Sequence, residues 1–323
     1  MEQRQLGATG IRVTPIGLGL AALGRPAYIN AGRDRDLGED RTLEAMEARS
    51  HEVLDAAWAA GIRYLDAARS YGYAERFLAS WLRARDVDPS AVTVGSKWGY
   101  RYVGDWRMDA PVHEVKDHTL AMLRAQLPDS LVLLGPWLRL YQVHSATLES
   151  GILADGAVLA ELARLRSEDG LLIGLSVSGP RQSDVINAAL DVRVDGVNPF
   201  ACVQATWNLL EPSAGAALME AHDAGWGVIV KEALANGRLL DEPSVAAAAR
   251  EVGTGADVVS LAAVLANPWV DVVLSGAATP VQLTSNAGAA TPGPALAAIV
   301  AALPRIAESA DDYWAARAAR PWS

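Results

Sequence analysis

Eight apolar runs, each followed by a longer stretch of helical pattern, predict that this chain folds as a (β/α)8 TIM barrel. Three observations carry the prediction. The runs are continuous rather than alternating, as strands covered on both faces of a parallel sheet must be. They number eight in a chain of 323 residues that is 51% hydrophobic, enough for one large core. No linker and no repeat beyond the βα period interrupts them, so one domain is expected over 1–323.

The elements follow in order. RVTPIGLGL (12–20) reads as the first strand and SHEVLDAAWAAG (50–61) as a helix. IRYLD (62–66) and VTVGSK (92–97) are the next two strands, with helices over 73–85 and 111–127. LRLYQVH (138–144), LLIGLSV (171–177) and FACVQA (200–205) continue the series, with helices over 156–168, 181–190 and 213–225. GVIVKE (227–232) and VDVVLSG (270–276) close it, with helical stretches filling 243–266 and following 276. A competing architecture is the doubly wound sheet, because GLGLAA (17–22) fits the G-x-G-x-x-G/A dinucleotide fingerprint. That motif must open a helix, and Gly24, Pro26 and Gly32 break the one required here. Residues 23–48 read instead as a long charged excursion, a flap over the barrel mouth.

Composition narrows the function classes. A net charge of −10 with no basic run argues against a nucleic-acid surface, since phosphates need clustered Lys and Arg. MEQRQLGATG has no apolar core of a signal peptide, and no run of about 18 apolar residues exists to span a membrane. The single cysteine, Cys202, fits a reducing compartment, so a cytoplasmic location and a small-molecule partner are expected, with the oligomeric state open. Lysine occurs only at Lys97, Lys116 and Lys231 in an arginine-rich chain. A lysine at a strand end therefore suggests a task for a compact ammonium whose pKa can move.

Barrel chemistry sits where strands end. Strand two ends in Asp66, with Tyr71 just beyond; strand three ends in Lys97; strand four ends in His144. Each has an ordinary reading: a helix cap, an edge phenol, a snorkelling lysine, a buried histidine. Together, on three neighbouring strands about 5 Å apart, they form a proton-transfer set. Tyrosine titrates near 10, and an adjacent ammonium is expected to lower that value. Asp66 is the counter-ion that keeps Lys97 charged in a dry site. His144 can hydrogen-bond a carbonyl oxygen. No side chain donates hydride, so a cofactor must.

These segments resemble the aldo-keto reductase superfamily. The resemblance runs through RQLGATGIRVTPIGLG (4–19), similar to that family's N-terminal β-hairpin closing the barrel bottom, GIRYLDAARSYG (61–72), GSKWG (95–99) and YQVHSA (141–146). It continues in VQATWNLLEP (203–212), VIVKEALANGRL (228–239) and VLSGAATPVQLTSN (273–286). It implies Tyr71 as general acid, tuned by Lys97 and Asp66, with His144 positioning the carbonyl, and a bound NAD(P)(H). It further implies Ser176 and Gln204 at the nicotinamide amide, although Val177 replaces the usual asparagine. Trp207 stands where the resemblance implies a ring-stacking residue. Leu234, Asn236 and Gly237 match the pyrophosphate loop. Gly276, Gln282 and Asn286 match the adenosine end, which Arg238 would also reach. The expectation is NADP(H), with NAD(H) as the alternative, since none of Gly276, Ala277, Ala278 and Gln282 is charged.

Trp98, Trp106 and Trp137 are expected to line a substrate pocket for a sugar, an aromatic aldehyde or a polycyclic ketone, with no basic cluster marking an anionic substrate. HEVKDH (113–118) looks like a zinc motif, but its histidines are five apart and miss one helical face, so no metal is expected. GTGAD (253–257) reads as a turn between helices. Three activities fit: carbonyl reduction, NAD-linked oxidation of a sugar-like (aldose-type) alcohol at the same site, or a regulatory nucleotide-binding subunit resembling potassium-channel β subunits.

Overall fold

The computed structural model describes residues 1–29 and 36–322. The excursion expected over 23–48 therefore contains a stretch, 30–35, that lies outside the described residues. Short strands β1 (Arg4–Gln5) and β2 (Arg12–Val13) pair antiparallel, Arg4 opposite Val13. The barrel begins with β3 (Ile16–Gly19), β4 (Tyr64–Asp66) and β5 (Thr93–Trp98). A second antiparallel pair, β6 (Tyr100–Tyr102) and β7 (Glu114–Lys116), follows outside it. Strands β8 (Leu138–Ala146), β9 (Leu172–Val177), β10 (Cys202–Thr206), β11 (Gly227–Lys231) and β12 (Val272–Ser275) complete it. The eight barrel strands run parallel, and β12 closes on β3 with Val273 opposite Ile16. All eight expected strands are present, and closure of the sheet excludes the doubly wound alternative.

The barrel has an inner and an outer apolar layer. Tyr64, Leu140, Ile229 and Val272 fill the inside, and Leu6 from the β1–β2 turn packs with them. The hairpin is fixed at the strand beginnings: Gly7 N donates to Asp271 Oδ2 (3.0 Å) and Ala8 N to the Gly225 carbonyl (2.8 Å). The expected bottom closure is thus built. Gly7 is obligatory there, because its φ is +53° and a Cβ would lie 2.4 Å from the Trp226 carbonyl carbon. Outside, Phe77, Trp81, Leu162 and Leu218 from the helices cover Val94, Val143 and Val203.

One element differs from expectation. Residues 111–127 do not form a single helix: 114–116 pair with Tyr100–Tyr102, and the helix is Leu120–Leu134. Asp117 Oδ1 accepts from the Thr119 amide and hydroxyl, and Thr119 Oγ1 accepts from Met122 N, a capping arrangement that starts the helix there. The histidines of HEVKDH therefore flank a strand rather than a helix turn. The 253–257 stretch is the expected turn, with Gly253 at φ +67° ending the helix Pro243–Val252. Beyond β12 lie helices Pro280–Ala287, Pro294–Ala301 and Ala310–Ala318. The segment after the last one returns to the barrel: Arg320 donates to the carbonyls of Ile29 (3.0 Å) and Asn236 (3.1 Å). Among the described residues, no helix is long and apolar enough to cross a membrane.

Candidate active site

Strand ends and one clamped turn bring four polar groups together. Asp66 is the last residue of β4, and Lys97 the penultimate residue of β5. His144 lies in β8 where the register against β9 shifts between Val143 and Ala146, and Ser145 adopts φ +50°. A bulge of this kind re-aims a side chain. Tyr71 sits in the turn after β4, and that turn is clamped to the first loop: Tyr73 N donates to the Gly24 carbonyl (2.7 Å). Gly72, at φ +60°, lies so close that a Cβ would be 2.4 Å from that same oxygen.

The groups are dry and mutually wired. Lys97 is fully buried and Asp66 2% exposed. Lys97 Nζ donates to Asp66 Oδ2 and to the Ala67 carbonyl (3.0 Å). The other carboxylate oxygen accepts from Gln204 Nε2 (3.0 Å) and Tyr64 OH (3.3 Å). Lys97 Nζ lies 5.0 Å from the Tyr71 ring centroid, and the His144 ring meets Tyr71 edge-on at 5.3 Å. His144 Nδ1 pairs with Ser70 Oγ (3.2 Å), leaving Nε2 toward the cavity. Burial, then the charges of Lys97 and Arg25, push the imidazole well below its ordinary range, so it is neutral.

The phenol behaves differently from the sequence expectation. Burial and then the Asp66 carboxylate raise Tyr71 well above 10, while Arg25, 5.1 Å from its ring, pulls the other way. Lys97 does not win this contest, because its charge is answered directly by Asp66 and burial itself lowers the ammonium. Tyr71 therefore holds its proton. Its hydroxyl has no hydrogen-bond partner among the described residues.

A cavity of about 570 Å³ opens over these groups. Of the expected cofactor residues, Ser176, Gln204, Leu234, Asn236, Gly237, Gly276, Gln282 and Asn286 line it. Trp207 does not: it lies edge-on to Trp269 (5.7 Å), outside the barrel. Arg238 does not either, because Glu308 binds its guanidinium through two contacts. The three tryptophans expected at the substrate are structural. Strand alternation turns Trp98 away from the side that Lys97 faces, against His118. Trp137 precedes β8, at the barrel bottom, and donates to the Val87 carbonyl (2.8 Å). Trp106 packs on Tyr73 and Phe77 and donates to the Arg41 carbonyl (2.8 Å).

Other residues take their place. Arg25, only 2% exposed, lies over the rings of Tyr28 (4.6 Å) and Trp322 (4.7 Å) and pairs with Glu114 (2.7 Å). Trp322 stacks on His113 at 4.1 Å. Glu232, at φ +58°, receives three contacts from Arg317. Burial opposes its ionisation, yet Arg317 and Lys231 hold it down to about 2. Lys231 donates to Thr206 Oγ1 (2.7 Å), and burial lowers it to about 8. A basic cluster thus does face the cavity, contrary to expectation, but it comes from segments some 300 residues apart. Only the scarcity of lysine flagged any of it: Lys97 and Lys231 line or underlie the site, and Lys116 donates to the Ser145 carbonyl (2.9 Å) beside it.

A closed parallel barrel whose mouth holds a carboxylate, an ammonium, a phenol and an imidazole is a framework suited to proton transfer at a bound molecule. The sequence model of the Aldo/keto reductase family matches residues 15–294, and the chain belongs to that family, whose members use NAD(P)H and act on small-molecule carbonyl substrates. It is similar to the pyridoxal 4-dehydrogenase of Microbacterium luteolum, 36% identical over 100 residues, which is 30% of this chain and 24% of that enzyme. Its fold is that of the aldo-keto reductase of Bacillus halodurans in its holo form, with a TM-score of 0.68, 20% identity, and 95% and 97% of the two chains covered. A chain from Pseudomonas aeruginosa assigned to the aldo-keto reductases superposes with a TM-score of 0.63 at 24% identity, covering 93% and 96%.

Proposed function

We propose that this enzyme interconverts a polar aldehyde or ketone and its alcohol, with Tyr71 exchanging the proton at the oxygen. The observation that carries the reading is the Tyr71 hydroxyl, unpartnered among the described residues and facing the cavity beside a neutral imidazole. His144 Nε2–H, with Nδ1 held at Ser70, is a donor to the carbonyl oxygen, and it polarises the bond and fixes its position. Tyr71 then gives its proton to that oxygen as negative charge develops. The phenol, raised by burial, is a donor throughout neutral pH, which favours the reductive direction. Asp66 and Lys97 act through position: their pair fixes the floor of the site and places a cation under the Tyr71 ring.

The residues present fit a nicotinamide dinucleotide. The cavity falls within the range of about 300–1,000 Å³ usual for ligand clefts. Gln204 keeps its Oε1 available for an amide while Nε2 holds Asp66. Successive left-handed residues Ala235, Asn236 and Gly237 (φ 48°, 55° and 98°) shape a loop suited to anion binding. When bound, the cofactor supplies or accepts the hydride. Cavity walls of Tyr28, Tyr100 and Trp322 interleaved with Arg25, Glu114 and Lys231 suit a ring or sugar bearing several polar substituents. The likeness to pyridoxal 4-dehydrogenase supports a second direction at the same site, oxidation of an alcohol-type hydroxyl to a carbonyl.

Replacing Tyr71 by Phe tests the assignment. Turnover of a polar aromatic aldehyde is expected to fall about 10²–10⁴-fold, with cofactor affinity unchanged by tryptophan fluorescence. Turnover within about threefold of wild type would remove Tyr71 from the proton step.

A further inference from the structure

The two ends of the cavity differ in charge. Toward Tyr71 and Glu232 it carries the cations described above. Its far wall, from β12 and the helix Pro280–Ala287, carries none among the described residues and two carboxylates instead. Asp36, from the segment joining β3 to the helix Leu43–Ala59, lines this wall and accepts from Gln282 Nε2 at 2.8 Å. Asp257 lines it too and accepts from Asn286 Nδ2 at 2.7 Å.

The donors of this wall already have partners. Ala277 N donates to Ser275 Oγ (3.2 Å), Ala278 N to Gln282 Oε1 (2.9 Å), and Gln282 N to Thr279 Oγ1 (3.2 Å). Arg238 is bound by Glu308. The reacting end of a dinucleotide must reach Tyr71 and His144, so its adenosine end falls to the far wall. A ribose carrying a 2′-phosphate would meet carboxylates there and, among the described residues, no free cation. A ribose with a 2′-hydroxyl would find acceptors, the arrangement by which an acidic residue selects the unphosphorylated cofactor in other dinucleotide folds.

We propose that Asp36 makes this site select NAD(H) over NADP(H), with Gln282 holding its carboxylate in place. The inference rests on the cofactor-dependent reading above. It reverses the sequence expectation of NADP(H), in which Arg238 would reach the adenosine end.

The experiment is titration of the full-length protein with NADH and with NADPH, read by tryptophan fluorescence. Wild type is expected to bind NADH at least about tenfold more tightly, with the ratio narrowing as salt rises from about 0.05 to about 0.5 M. Asp36→Asn, which retains an acceptor for Gln282, is expected to tighten NADPH about tenfold and leave NADH within about twofold. Equal affinities in wild type would overturn the proposal, as would an Asp36→Asn variant in which both affinities move together. Failure of both cofactors to bind wild type would instead refute the dinucleotide-dependent reading itself, and this inference with it.

Discussion

Replacing Lys97 by Met removes one half of a fully buried ion pair. The carboxylate left behind is 2% exposed and, among the described residues, keeps only Gln204 (3.0 Å) and Tyr64 (3.3 Å) as donors, both neutral. Breaking such a pair costs about 3–5 kcal/mol, mostly because the remaining charge has no answer. Against a total stability of about 5–15 kcal/mol, that is a third or more of what holds the fold. Urea denaturation at about pH 7 measures the loss. Adding Asp66→Asn to Lys97→Met is expected to return at least about 2 kcal/mol at neutral pH, since no charge is then stranded. A single variant within about 1 kcal/mol of wild type, or no recovery in the double variant, would refute the argument.

Other outcomes follow from groups around the same site. His118 is 9% exposed, and burial lowers it to about 4, so the folded state binds fewer protons than the unfolded one between that value and about 6.5. Stability should therefore fall by about 2 kcal/mol from this residue alone between pH 7 and pH 5, and His118→Gln should flatten that slope in urea titrations. Trp322→Ala should raise KM for a ring aldehyde severalfold with little effect on the urea midpoint, because the indole lines the cavity. Trp98→Phe should do the reverse, lowering stability by about 1–2 kcal/mol and leaving KM unchanged, because its indole packs outside the barrel.

The barrel was legible because its strands are mostly apolar runs without alternation, the pattern that a parallel sheet covered on both faces requires. Asp66, Lys97 and His144 were legible for the same reason: each is the polar residue that stops such a run. The failures share a cause as well. Position next to Lys97 suggests that Trp98 meets the substrate, but adjacency along a strand means opposite faces. Trp137 suggests a mouth residue by its aromatic character, yet it stands at the beginning of β8 and so at the barrel bottom. The helix expected over 111–127 gave way to a strand because Tyr100–Tyr102 supplies a pairing partner that periodicity along one segment does not reveal. Arg25, Arg317 and Arg320 carry no local signal at all. Each is one arginine among many until folding sets it beside Glu114, Glu232 or the Asn236 carbonyl.

Those arginines bear on how the binding site comes into being. Arg320 bridges Ile29 and Asn236, contacts separated by 291 and 84 residues, and Arg317 reaches Glu232 across 85. Closing loops of that length carries an entropic cost that only the finished barrel repays. The cavity rim is thus among the last parts to assemble. A ligand held under it would draw on the same ties, so occupancy should tighten the 317–322 segment and shield it from proteolysis before any change is felt in the strands.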